Sequence, residues 1–244
     1  VSHVSDFSGV NSRAVVATGS AFGDGVVIHP FAIVGFQPMR GPTFARPVEK
    51  QPPAKLGEGV VVGPFALIYA GSEIGDHTMI CPYVSIREGV RIGKRCVIGI
   101  GVSIGYDAVI GDDVQIMDHA HISGGTVIGS RCFVAQHTCT ANDDRPGGYV
   151  WKGITPITIG DDCVIGAASI IRPGVKIGNG ATVAMGAIVT RDVPAGALIK
   201  GEPSRVVSVP SRDLGQAVLG FVSEDELLAG MPRQVYPNGV ESVG

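Results

Sequence analysis

Two of the six histidines, His119 and His137, lie eighteen positions apart. Imidazole titrates near neutrality, so a neutral ring can take a proton from an amine or a hydroxyl nucleophile. Asp118 precedes His119 and joins the two histidines as a catalytic candidate. His119 is the first choice as base, and His137 the second, as base or substrate anchor. Asn142 and Asp143 follow His137 and open a polar stretch. A carboxylate there can hold an ammonium group or sugar hydroxyls, although both residue types also make ordinary turns. A different chemistry is open to His77, His119, His121 and His137, because three imidazoles make a sound zinc site.

The spacing of eighteen has meaning because the chain repeats. From Leu56 through Ile68, Ile80, Ile92, Ile104, Ile116 and Ile128 to Thr140, every sixth residue is aliphatic apart from the last. Four residues after each comes a small side chain or a valine, such as Ala66, Ser72, Thr78, Cys96, Ala108 and Thr126. Neither the helical period near 3.6 nor the strand period of 2 generates this pattern. A fixed six-residue repeat reads as a parallel β-helix with three short strands per triangular coil. Positions eighteen apart then stack directly above one another, which would put His119 and His137 on one edge. A looser version of the beat runs from Val4 to Val34, with Phe22 in the aliphatic series, and another from Ile159 to Val189. Eight coils are expected, a prism of roughly 35–40 Å.

The beat stops twice. Residues 35–55 hold Pro38, Pro42, Pro47, Pro52 and Pro53 among Arg40, Arg46, Lys50 and Lys55. Proline at that density defeats regular pairing, so a basic loop is expected there. Residues 141–152 form a second loop, with Tyr149 and Trp151, the chain's single tryptophan. The solenoid is expected to occupy 1–207 and a tail 208–244. The Ser223 and Glu226 spacing, followed by Leu227, Leu228 and Gly230, predicts a short helix in that tail.

Composition agrees with a narrow aliphatic core: 45% hydrophobic residues, only 6% aromatic, and 36 glycines among 244 residues. A net charge of −3 gives no reason to expect a nucleic-acid partner. The five cysteines include no CxxC pair, and Cys96, Cys132 and Cys163 fall in the small slot. Reduced, buried thiols are expected. No basic-then-apolar leader and no apolar run of membrane-spanning length is present in the sequence, so a cytoplasmic setting without membrane attachment is expected.

Three stretches resemble the hexapeptide-repeat acyltransferases, with most similarity to those acting on nucleotide sugars. They are Thr140-Ala141-Asn142-Asp143 followed by Arg145-Pro146, Ile159 to Ala168, and Val189 to Val207 with its Gly201-Glu202-Pro203-Ser204-Arg205-Val206 ending. The resemblance implies a left-handed parallel β-helix and a homotrimer with active sites between subunits. It implies transfer of an acetyl group from acetyl-CoA to the amine of a nucleotide-linked amino sugar, and no metal. It places the acceptor near Asn142, Asp143 and Arg145. It places coenzyme A along the C-terminal half, with backbone near Ala168 and Gly186 against the pantetheine and Lys200 and Arg205 at its phosphates. The chain departs from those sugar transferases in its extra N-terminal coils, its 35–55 loop and the Asp118-His119 pair. Three other functions fit the same fold: an O-acetyltransferase of a sugar or antibiotic hydroxyl, a zinc enzyme like the γ-class carbonic anhydrases, and a non-catalytic scaffold.

Overall fold

The computed structural model describes residues 9–39, 46–143, 153–201 and, by backbone, 205–208. Contacts divide the chain into Val1–Pro210 and Ser211–Gly244, and the described residues all lie in the first unit. The expected helix near 223–230, Arg145, Tyr149 and Trp151 lie outside the described residues.

Most strands are two residues long, and three of them make one coil. The first face runs through Val15–Val16, Ser85–Ile86, Ser103–Ile104, His121–Ile122, Cys139–Thr140, Ile170–Ile171 and Ile188–Val189 as a nine-stranded sheet. The second face, of eight strands, includes Lys55–Leu56, Val109–Ile110, Val127–Ile128 and Thr158–Ile159. The third face, of ten strands, includes Met79–Ile80, Val97–Ile98, Gln115–Ile116 and Phe133–Val134. Among the described residues nine coils result, one more than the eight expected.

Each coil hangs on the next by parallel backbone bonds: Met79 N–H donates to Cys96 O, Val97 to Val114 and Gln115 to Cys132, each at 2.9 Å. Partners step by eighteen, as in Ser85↔Ser103↔His121. The aliphatic of each strand points inward, and Ile68, Ile80, Ile98, Ile104, Ile116 and Ile122 are completely buried. Burying each contributes about 1.5–3 kcal/mol against leaving it in water. The small slot is buried as well, from Val60 and Ala66 to Cys132 and Thr138. Its hydroxyls and thiols bond to the wall of the coil: Thr78 Oγ1 donates to Gly93 O at 2.8 Å, and Ser169 Oγ to Gly166 O at 2.6 Å.

Thr140 breaks the aliphatic series for a local reason. Its Oγ1 accepts from Ser123 N–H at 2.7 Å and meets Ser123 Oγ at 3.0 Å, while Ser123 Oγ meets Thr126 Oγ1 at 3.1 Å. This buried hydroxyl cluster lies beneath the point where the second loop departs.

Both loops leave from the same corner, between the first and second faces. Across the first, Ala21 pairs with Lys55, and across the second, Val127 pairs with Thr158. The coils on either side stack as if nothing intervened. The first loop is narrower than its prolines predict, since Gly35 and Phe36 are still in strand Ile33–Phe36 and Ala54 is buried in the next coil. Proline excludes the ladder but not the preceding strand end.

Candidate functional site

The corner between the third and first faces carries His119, His137, Ala168 and Gly186 of the residues singled out by sequence. On successive coils it presents Phe31, Phe65, Tyr83, Gly101, His119, His137, Ala168 and Gly186, all at positive φ between 54° and 69°. The backbone links them in turn: Gly101 N–H donates to Pro82 O at 3.0 Å, His119 to Ile100 O at 2.8 Å, His137 to Asp118 O at 3.1 Å, Ala168 to Gln136 O at 3.0 Å, and Gly186 to Ala167 O at 2.8 Å. The corner column therefore continues past the second loop, where counting by eighteen fails. His119 and His137 stack with centroids 5.5 Å apart and 13° between planes, both exposed.

Asp118 points elsewhere. Its Oδ1 accepts from Ile100 N–H at 2.8 Å, one coil back. Asp112 does the same for Lys94 at 2.8 Å, Asp161 for Ser130 at 2.8 Å, and Asn179 for Asp161 at 3.1 Å. Asp118 is thus one of a series of side chains that clip a coil to its neighbour through a backbone N–H.

Asn142 lies on the loop corner, across the first face from His137. Its Nδ2 donates to Gly124 O at 2.9 Å and anchors the start of the second loop. Asp143 next to it is exposed. The backbone N–H groups of Ala168 and Gly186 are engaged by the preceding coil, so what remains for a ligand is their carbonyl groups and space. A Cβ built on Gly186 would meet nothing within 4 Å. Lys200 is exposed at the end of strand Leu198–Lys200, and its backbone pairs antiparallel with Arg205.

Between the two corners the outer surface of the first face holds a pair that sequence reasoning did not place in the site. His121 and Cys139 are register partners on adjacent strands, and both are exposed. Cys96, Cys132 and Cys163 are buried in the inward slot as expected, but the general expectation of buried thiols fails for Cys139, which is exposed, and Cys81, which is half-buried, because neither occupies that slot. Desolvation against the coil wall pushes the His121 imidazole below the ordinary histidine value and favours its neutral form. His77, offered with these histidines as a zinc ligand, belongs to the third corner, where its N–H donates to Glu58 O at 2.6 Å.

The first loop is tied to the same surface. Arg46 pairs with the Glu88 carboxylate, which Arg87 also holds at 2.9 Å, and Glu88 is 2% exposed. Arg46 also lies over the Tyr106 ring, 3.8 Å from its centroid. Tyr106 in turn covers Gly124, where a Cβ would come within 2.8 Å of the ring. The two loops thus reach one short stretch of corner from opposite ends, flanking the first face opposite the two histidines.

Comparison with known proteins gives the following. The sequence family described as bacterial transferase hexapeptide (six repeats) matches residues 53–87, 71–106 and 107–142. The hexapeptide repeat of succinyl-transferase matches 156–191. A 2,3,4,5-tetrahydropyridine-2,6-dicarboxylate N-acetyltransferase of Staphylococcus aureus is 53% identical over 57 residues, which is 23% of this chain and 24% of the relative. The chain therefore aligns with about a quarter of the length of that curated relative. Among solved structures, a UDP-N-acetylglucosamine acyltransferase from Campylobacter jejuni superposes with a TM-score of 0.58 at 23% identity, over 82% of this chain and 74% of that one. LpxA from Acinetobacter baumannii superposes with a TM-score of 0.65 at 18% identity, over the same shares, 82% and 74%. At these identities the superpositions establish the shared coil architecture. Among the described residues, no helix is long and apolar enough to cross a membrane.

Proposed function

Taking as premise that the chain belongs to the hexapeptide-repeat acyltransferase superfamily, we propose that it moves an acetyl group from acetyl-CoA to the amine of a nucleotide-linked amino sugar. The observation that carries this reading is the histidine corner: two stacked imidazoles continue, coil by coil, into Ala168 and Gly186, where side chains are small or missing. A narrow pantetheine arm fits along such a cleared edge, and its thioester then ends beside His137. The names of the relatives agree in part: one relative is an N-acetyltransferase, of a dicarboxylate, and one superposed structure is a UDP-N-acetylglucosamine acyltransferase.

The chain's part in the chemistry follows from placement. His137, stacked against His119, accepts the proton that the amine sheds as it attacks the thioester carbon. The departing thiolate of coenzyme A takes up a proton in turn. Asn142 and Asp143 approach the acceptor from across the first face, and Arg145 is assigned to the same group by its place in the loop sequence. Lys200 and Arg205 meet the coenzyme phosphates. A trimer completes the site, each cleft being walled on its open side by a second copy, and its expected mass is three times the 25.1 kDa of the chain.

The test is thiol release from acetyl-CoA against a panel of nucleotide-linked amino sugars, free amines and hydroxyl acceptors. One nucleotide amino sugar should react, and His137→Ala should lower kcat by about 10²–10⁴-fold. Turnover confined to hydroxyl acceptors would replace the amine by an O-acetyl reading. No acetyl-CoA binding at all would remove the acyltransferase reading.

A further inference from the structure

The rings on the histidine corner form a ladder with one rung missing. Phe31, Phe65 and Tyr83 stack with centroids 5.1 Å apart and planes within 14° and 2°. His119 and His137 continue it at 5.5 Å. The coil between Tyr83 and His119 carries Gly101 instead. Its φ of 65° is matched by 61° at Tyr83 and 59° at His119, so ringed residues bear the strain of the same left-handed backbone on nearby coils. Residues with rings hold the same conformation on the coils before and after it.

What glycine removes is a ring. A Cβ at 101 would come within 2.6 Å of His119 Nδ1, so the histidine rests against the glycine from one side. Tyr83 is two coils from His119, about 10 Å at strand spacing. That is twice the 5.1 Å between neighbouring rings of the ladder. A planar ring entering there would meet Tyr83, which is 61% exposed, on one side and the His119 ring that leans over Gly101 on the other. In a chain with only 6% aromatic residues, this corner concentrates them, and it does so at the surface.

We propose that the slot at Gly101 takes the nucleobase of the acceptor, sandwiched between Tyr83 and His119. The proposal rests on the nucleotide-sugar reading above and deepens it. Flat parallel faces suit a flat heteroaromatic ring, and stacking of this kind tolerates purines and pyrimidines alike. Coenzyme A also carries a base, but the cleared edge at Ala168 and Gly186 lies on the far side of the histidines from the slot. From a base at Gly101, the ribose and two phosphates span two or three coil rises, about 10–15 Å. The sugar on the distal phosphate is then level with His137. The two histidines divide the work: His119 stacks on the base, and His137 accepts the proton of the amine.

Calorimetry with uridine, thymidine, guanosine and adenosine diphosphates tests this. At least one should bind, Tyr83→Ala should weaken it about five- to a hundredfold, and Tyr83→Phe should restore it. Gly101→Tyr, whose Cβ must push His119 aside at a strained φ, should abolish nucleotide binding in a protein whose coils circular dichroism still finds folded. Acetyl-CoA affinity should be the same in all four proteins. Unchanged diphosphate affinity in both Gly101→Tyr and Tyr83→Ala overturns the slot, whatever the turnover. If acetyl-CoA affinity falls instead, the slot holds the coenzyme's adenine and the proposal fails. If the wild type releases thiol with a free amino sugar but binds no diphosphate, the slot fails while the acyltransferase reading stands. Loss of both belongs to the function itself.

Discussion

At the scale of single residues, position on the coil decides what a side chain can do. Asp118 and His119 are neighbours in sequence, yet one clips Ile100 N–H and the other stacks on His137. Adjacent residues in a tight turn project in different directions, so proximity along the chain is poor evidence for a catalytic pair. This has a direct consequence. Asn offers the same Oδ1 to Ile100, so Asp118→Asn should leave kcat/KM within about threefold, while Asp118→Ala costs about 1 kcal/mol of stability. A hundredfold fall in kcat for Asp118→Asn, read in the thiol-release assay, would return the carboxylate to the catalytic machinery. His121 and Cys139 show the opposite limit. They sit eighteen apart in the outward slot of two-residue strands, so the spacing stacks them, but that slot carries no pattern of residue types to mark the pair out.

At the scale of elements, the inward pattern was readable and the edges of the loops were not. Every sixth residue from Leu56 to Thr140 is buried as the six-residue beat requires, because the cavity of each coil admits one aliphatic and one small side chain. The loop that prolines mark out is tethered by a contact no pattern announces, Arg46 reaching across coils to Glu88 and Tyr106. Burial alone would raise the Glu88 carboxyl; the bonds from Arg87 and Arg46 outweigh it and hold the group below its ordinary value. A carboxylate with a depressed folded pKa lends stability above its unfolded value, near 4.5, and loses it as the pH falls through the folded one. The tether should therefore persist through pH 5 and release only in stronger acid. Glu88→Gln removes the charge at every pH and should cost about 2 kcal/mol. Limited proteolysis within residues 37–53 reports it: cleavage at pH 7 should be faster in Glu88→Gln than in the wild type. Equal rates would mean that the loop is held by other contacts.

At the scale of the whole solenoid, each coil rests only on its two neighbours, and the parallel ladder offers no internal reason to stop. Strand Arg205–Ser208 lies antiparallel against Leu198–Lys200 on the third face, with a register shift between Leu198 and Ile199. Every other strand pairing in the three sheets is parallel among the described residues. That single reversal acts as a terminator. A strand running the wrong way presents an edge on which another parallel strand is not readily seeded, so it shields the third face of the last coil from a second molecule's first. Ending the chain at residue 201 should leave the coils folded but sticky at one end. Light scattering should then show head-to-tail growth that rises with protein concentration, where the full chain stays at one size. The same few residues proposed for the coenzyme phosphates would thus also set the number of coils, making the last coil a boundary against polymerisation.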